Sequence, residues 1–182
     1  MKRPLTAIGG LTAGALLAAG MTIGGFSRAA AEPGDFSAIP VSPNIITDST
    51  AYTAAAPTIN PNGQPGVTTV YTHRDDTRQI TNTILVLPDP QAATNAINGI
   101  RSGLGDRVTN PKTQQAAVGT GGTVVTGVSP DGTKSVSVLL FTEGNAAGSI
   151  EFEGPKNDSV PMDMVVDYGQ KQDTAIKDSL TS

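Results

Sequence analysis

His73 is the residue best suited to acid–base chemistry, because it is the only histidine in the 182-residue chain. The run His73-Arg74-Asp75-Asp76 places two carboxylates beside it, and a histidine paired with a carboxylate can act as a general base in a hydrolase. The same run has an ordinary alternative, in which His73 ends a strand and the two aspartates form a turn. A single histidine also excludes a metal site built from several histidines of one chain.

Three further patterns look like known sites but lack a part that the chemistry requires. Residues 119–123 have the composition of a phosphate-binding loop, yet a strand follows them where a helix N-terminus is needed. Ser129 and Ser135 lie outside any Gly-x-Ser-x-Gly elbow. Glu151 and Glu153 alternate along a strand, which is typical of a solvent-exposed face. With no cysteine in the chain, we predict no catalytic residue, no cofactor and no bound metal.

Gln172 is the most unusual polar residue, because it interrupts an apolar seam in the last predicted helix. Val165, Tyr168 and Ile176 recur around it at helical spacing. If Gln172 is buried, it needs hydrogen-bond partners and would fix the helix against the sheet. Alternatively, it lines a gap between helix and sheet and anchors a ligand, since pockets are mostly apolar with few polar groups. Gln172, Tyr168 and His73 are therefore the candidate ligand-binding residues.

Two strands and a helix are predicted in the first half of the chain after its N-terminal arm. β-Branched and aromatic residues at 67–74 and an apolar run at 78–87 indicate neighbouring strands joined by a short turn. Asp89 followed by Pro90 marks a helix start, since Asp caps free amides and Pro needs no N–H at the first helical position. The helical spacing of apolar residues continues to Leu104.

The second half predicts further strands, after a linker through Asn110 and Pro111, and then a terminal helix over residues 162–180. The four strands are expected at residues 115–118, 123–128, 134–142 and 149–153. Meandering strands with helices indicate an α+β fold, an antiparallel sheet of five or six strands with two flanking helices. We expect residues 32–50 to form an irregular arm and residues 51–182 to form a single α+β domain.

Residues 1–31 have the three parts of a secretory signal peptide. Lys2 and Arg3 give it a positive end, and an uncharged stretch rich in Ala, Gly and Leu follows. Small residues then precede the cleavage that we predict between Ala31 and Glu32. An uncleaved membrane anchor is the alternative, although its many glycines lower both hydrophobicity and helix propensity.

The predicted mature chain is acidic. The full chain carries 12 Lys and Arg against 16 Asp and Glu, and residues 1–31 contain three of the cations, so nine against 16 leaves a net charge of −7. Such a surface repels phosphate backbones and anionic headgroups, so we expect neither nucleic-acid binding nor stable membrane association after cleavage. The lack of cysteine excludes lipid attachment through that residue. We expect a secreted or extracellular monomer, with cell-wall association as the alternative.

Four segments resemble those of small exported mycobacterial and related actinobacterial proteins of uncharacterised role. They are VGTGG (118–122), SPDGTK (129–134), VLLFT (138–142) and GQKQD (169–173). The element order is also similar to the LpqN-type cell-envelope lipoproteins, which have a Mog1/PsbP-like fold, and to the extracellular sensor domain of a mycobacterial serine/threonine kinase. This chain lacks the lipid-carrying cysteine of the first family and the disulfides of the second. Neither family supplies catalytic residues, so the resemblance implies a binding or interaction module of the cell envelope.

These observations predict a secreted, non-enzymatic binding or interaction module. Its partner is a small apolar ligand, an envelope component or a protein. Two alternatives stay open: an extracytoplasmic hydrolase that uses His73 with a carboxylate, and a host-facing secreted antigen or accessory protein. The hydrolase requires His73 to lie in a cleft within hydrogen-bond reach of a carboxylate or a hydroxyl group.

Overall fold

An eight-stranded antiparallel sheet forms the centre of the computed structural model, which describes residues 36–180. The strands are β1 (Tyr52–Ala54), β2 (Thr58–Ile59), β3 (Gly66–His73), β4 (Gln79–Val86), β5 (Thr109–Gln115), β6 (Thr120–Val128), β7 (Lys134–Glu143) and β8 (Ala146–Pro155). Their order across the sheet is β1-β3-β4-β8-β7-β6-β5, and β2 also pairs with β3. The predicted α+β class is confirmed, with eight strands in place of five or six.

The additional strands lie at the edges of the sheet, where apolar alternation is weak. β1 and β2 have three and two residues, too few to show a period of two. β5 is polar and mostly exposed, and it includes Asn110 and Pro111, which the sequence predicted as a linker. The predicted strand at 115–118 is wrong. β5 already ends at Gln115, and Val118 N–H then donates to the Ala116 carbonyl in a turn.

The glycine-rich segment 119–122 overlaps the start of β6, where the strand pairing is irregular. The register between β6 and β7 shifts between Thr120 and Thr123. Gly119 and Gly121 have positive φ values of 48° and 65°, a backbone conformation that glycine adopts without steric cost. β6 therefore begins inside the stretch that was predicted as a loop.

Both predicted helices are present, and local chemistry explains their starts. Helix α1 (Pro90–Gly103) begins after Asp89, whose Oδ1 accepts a hydrogen bond from Ala92 N–H at 2.7 Å. Helix α2 (Met162–Leu180) covers the predicted range. Gly169 allows α2 to approach the sheet closely, because a Cβ atom there would lie 2.4 Å from Leu139 Cδ2.

The two helices cover opposite faces of the sheet, and each has its own apolar cluster. Val138 and Leu140 of β7 belong to the cluster that includes Ile97 of α1. Leu139, which alternates with them, belongs to the cluster that includes Ile176 of α2. Because successive side chains of a strand point to opposite faces, β7 is buried on both sides, as its continuous apolar run predicts.

The described part of the arm, residues 36–50, is irregular and lies on the α2 side of the sheet. Ile39 is buried there, and Phe36 and Val41 pack against the same apolar cluster. A short 3₁₀ helix follows at Pro43–Ile45. The arm therefore belongs to the packing of this face, in addition to the helix and the sheet that the sequence predicted.

Candidate functional site

The middle of α2 presents a polar side chain to the sheet. Gln172 has no exposed surface, and neither have Tyr168, one turn before it, and Ile176, one turn after it. Residues four positions apart share one face of a helix, so the glutamine interrupts an otherwise apolar seam. A buried amide of this kind needs partners for both its oxygen and its N–H groups.

Strand β4 supplies the partner that the sheet offers to α2. Asn82 is fully buried and lies between Ile80 and Ile84 on the same face of the strand. Its Nδ2 donates to Gln172 Oε1 at 2.7 Å and to Tyr168 Oη at 3.1 Å. We call Asn82, Tyr168 and Gln172 the polar clamp.

The polar clamp binds the main chain of the arm. Val41 N–H donates to Gln172 Oε1 at 2.8 Å, and Gln172 Nε2 donates to the Ile39 carbonyl at 2.9 Å. Tyr168 Oη donates to the Val41 carbonyl at 2.5 Å. These bonds all involve backbone atoms of the arm, so the hydrogen bonds themselves do not depend on the type of its side chains.

Apolar side chains surround the polar clamp. The ring of Phe152 meets the ring of Tyr168 edge-on, with centroids 5.9 Å apart, and Ile84 and Val165 belong to the same cluster. Burial raises the pKa of the Tyr168 hydroxyl, so it stays protonated and remains a donor at neutral pH. In such low-dielectric surroundings hydrogen bonds are stronger, and a group left without a partner is costly.

One acceptor of the polar clamp is unused. Asn82 Oδ1 is buried and has no hydrogen-bond partner among residues 36–180. Leaving a buried polar group unpaired costs about 1–3 kcal/mol. The clamp can therefore accept one more donor than the arm supplies.

The sequence predicted two members of the polar clamp and missed the third. Gln172 and Tyr168 stood out because they lie on the seam of a long helix. Asn82 had a comparable signal, since Ile80 and Ile84 flank it at a spacing of two within a strand. A polar residue between two inward-facing isoleucines is the strand equivalent of the glutamine in the helical seam.

Two cavities lie next to other parts of α2. One, of about 20 Å³, lies among apolar residues that include Ile46 and Met164, and it has room for about one water molecule. The other, of about 150 Å³, lies between Asn145 of the β7–β8 turn and Leu180 of α2. Pockets for small-molecule ligands usually enclose about 300–1,000 Å³, so neither cavity has the size of such a pocket.

A group of charged side chains joins α2 to the end of β7. Lys177 Nζ lies 3.7 Å from Glu143 Oε1 and 3.7 Å from Asp173 Oδ2. Burial raises the pKa of Asp173, and the negative charge of Glu143 adds to this effect. The arrangement ties the helix to the β7–β8 hairpin by electrostatic contacts at the protein surface, which contribute little to stability.

His73 ends β3 and lies outside the polar clamp. Its Nδ1 is 2.6 Å from Asp75 Oδ1, and its ring meets the Tyr52 ring edge-on at a centroid distance of 5.1 Å. Asp75 also accepts hydrogen bonds from the hydroxyl and the N–H of Thr77, and these bonds lower its pKa. The contact with a carboxylate meets one requirement of the hydrolase hypothesis, which stays a prediction. Of the three candidate ligand-binding residues, the structure thus brings two together.

The predicted cleavage site between Ala31 and Glu32 lies outside the described residues. Within residues 36–180, no helix has the length and apolar character needed to span a membrane. The same residues contain no group of three or more His, Asp or Glu side chains placed to hold a metal ion. Secretion, cleavage and wall association stay predictions.

The fold is an α+β sheet with two helices, and the polar clamp on one of its faces binds an irregular segment of the same chain. No family model, no curated protein and no solved structure matches the chain. The resemblances to the LpqN-type lipoproteins and to the kinase sensor domain therefore stay predictions.

Proposed function

We propose that this protein is a secreted, non-enzymatic binding module that holds a peptide segment of a partner protein at the polar clamp, against α2. One observation carries the proposal. Asn82, Tyr168 and Gln172 are fully buried, and Tyr168 and Gln172 direct their hydrogen bonds to main-chain atoms of an irregular segment. Side chains arranged in this way form a peptide-binding site, which the arm of the same chain fills.

The spacing of the polar atoms favours a peptide over a small apolar ligand. The Gln172 amide binds the carbonyl of one residue and the N–H of the residue two positions later, at Ile39 and Val41. A polypeptide offers this pair of groups at a fixed separation, because each residue carries one acceptor and one donor. An apolar ligand would leave the clamp unpaired, at a cost of about 1–3 kcal/mol for each buried group.

Export to the envelope or beyond is the second part of the proposal. It is supported by the signal-peptide pattern of residues 1–31 and by the resemblance to exported mycobacterial proteins, and cleavage would leave a net charge of −7. An acidic surface favours partners that are neutral or basic. The role of a host-facing antigen or accessory protein stays as an alternative, and it does not require the polar clamp to bind a partner.

Selection from a random peptide library on immobilised protein, residues 32–182, tests the binding function. We expect enriched peptides with apolar residues two positions apart. With the arm loosened by Ile39→Ala in every variant, they should bind roughly 10-fold or more weakly to Gln172→Leu and to the milder Tyr168→Phe, since each loses hydrogen bonds to the peptide main chain. Gln170→Leu is the matched control, because Gln170 is exposed on the same helix. No enrichment over bare support, or equal binding to all variants, would refute the proposal.

A further inference from the structure

The segment that fills the polar clamp can leave it without breaking the sheet. We call residues 36–43 the strap. Its backbone–backbone hydrogen bonds within the described structure stay inside the arm, and none joins it to a strand; one, from Ile39 N–H to the Phe36 carbonyl at 3.1 Å, is internal to the strap. By contrast, β7 and β8 pair along their whole length, from Lys134 to Glu143. Segments without ladder hydrogen bonds open at lower free-energy cost than core strands.

Besides the polar clamp, two side chains hold the strap to the sheet: Tyr71 Oη of β3 donates to the Pro40 carbonyl at 3.4 Å, and Asn44 fixes the end of the strap. Asn44 Nδ2 donates to the Tyr52 carbonyl at 2.9 Å, and Tyr52 N–H donates to Asn44 Oδ1 at 2.8 Å. These two bonds attach the chain to β1 immediately after the strap. If the strap lifts, it therefore pivots about Asn44 and stays close to its own site.

Lifting the strap would convert a buried interface into an open groove. The strap covers the polar clamp with Ile39, which is 4% exposed, and with Phe36 and Val41, which are partly buried. The exposed groove would then offer the Gln172 amide, the Tyr168 hydroxyl and the unused Asn82 Oδ1. The last atom is an acceptor that the strap does not satisfy, and a different segment with a suitably placed donor would satisfy it.

We infer that the strap is a built-in competitor for the peptide site, so that a partner segment binds by displacing it. The inference rests on the proposed function and adds its regulation. The partner segment is non-helical and carries two apolar residues that are two positions apart. The first of these residues has a free carbonyl, and the second has a free N–H. Its apparent affinity is reduced by the fraction of molecules in which the strap is closed.

Amide hydrogen exchange of the wild-type protein tests the opening. Val41 N–H, which donates to Gln172, should be roughly 100-fold or more less protected than the amide of Leu139 in the core strand β7. Equal protection at both amides would mean that the strap leaves only when the whole protein unfolds. That result would overturn the inference.

A synthetic peptide tests the competition directly. The probe is acetyl-FSAIPVSP-amide, the sequence of residues 36–43, and its control carries an N-methyl group at the position of Val41. Ile39→Ala loosens the strap, whereas Ile45→Ala changes an isoleucine of the arm that is 58% exposed. We expect the probe to bind Ile39→Ala roughly 10-fold more tightly than wild type or Ile45→Ala. The N-methyl control should not bind.

The outcomes separate this inference from the proposed function. Equal probe binding to wild type, Ile39→Ala and Ile45→Ala, or binding that N-methylation does not change, would overturn the inference that the strap competes for the site. A strap-dependent dimer that excludes the probe would assign the site to a second copy of the chain and would also overturn it. If the strap opens and the probe binds but the library yields no peptide, the competitor stands and the proposed function fails. If library peptides bind while Val41 N–H is protected like the core, the proposed function stands and the competitor fails.

Discussion

The two helices cover opposite faces of one sheet by different means. Beneath α1, Ala93 and Ile97 pack in a cluster of apolar side chains. Beneath α2, a similar cluster surrounds the polar clamp, and the arm adds a third layer. An apolar contact tolerates changes of shape that conserve volume, whereas a buried hydrogen-bond network depends on every partner. The α1 side is therefore set by packing, and the α2 side also by donors and acceptors.

Gln172→Leu should have the largest effect, because it keeps the side-chain volume and removes the hydrogen bonds. Val41 N–H and the Ile39 carbonyl would lose their partner, and Asn82 Nδ2 would lose one of its two. We expect the free energy of unfolding to fall by about 3 kcal/mol, measured by urea denaturation.

Gln170→Leu is the control for this measurement. It makes the same change at an exposed position of α2, where the side chain donates to the Ala117 carbonyl at 3.0 Å. An exposed substitution should alter the free energy of unfolding by less than about 0.5 kcal/mol. Equal losses in the two variants would show that the α2 side, like the α1 side, depends on packing alone.

Tyr168→Phe should have a smaller effect that depends on pH. It removes the hydroxyl that binds the Val41 carbonyl, which should lower the free energy of unfolding by about 1.5 kcal/mol at neutral pH. Burial raises the pKa of Tyr168 above the ordinary value of 10.0. The folded state therefore keeps a proton that the unfolded state releases, so this stability is present below pH 10 and is lost as pH rises above it.

Urea denaturation between pH 8 and pH 11 measures this loss. The free energy of unfolding of wild type should decline more steeply on the alkaline side than that of Tyr168→Phe. Some decline should remain in the variant, because burial also raises the pKa of Tyr71 to about 12. Parallel curves for both proteins would contradict the buried, hydrogen-bonded state of the Tyr168 hydroxyl.

The parts of the fold that could be predicted from the sequence are those with strong local signals. Asp89 and Pro90 mark the start of α1, and the seam around Gln172 defines α2 over its whole length. β5 could not be located, because an exposed edge strand has no apolar alternation and contains a proline at Pro111. Its pairing depends on β6, which is a tertiary and not a local property.

The site shows the same division. The helical seam indicated that Gln172 would need partners, but their identity depends on contacts between segments far apart in the chain. Asn82 lies 90 positions before Gln172, and Val41 lies 131 positions before it. The arm was predicted to be irregular, and nothing in its composition showed that its main chain would bind the helix. Local rules predict that a buried amide needs a partner, whereas the fold decides which group it is.

Among the buried positions, Ile97→Val should have the smallest effect, and it makes the complementary change on the α1 side. Ile97 is 5% exposed, and removal of one buried methyl group should lower the free energy of unfolding by about 1 kcal/mol. Ile176→Val, at a fully buried position of α2, is its match on the opposite face and should lower the free energy of unfolding by about the same amount.

Neither variant removes a hydrogen bond of the strap, so Val41 N–H should exchange through the same local opening as in wild type. If Ile97→Val were as costly as Gln172→Leu, or if it changed the local opening at Val41, the two faces would behave as one interior. Opening of the strap at the polar clamp would then depend on the packing of the whole core.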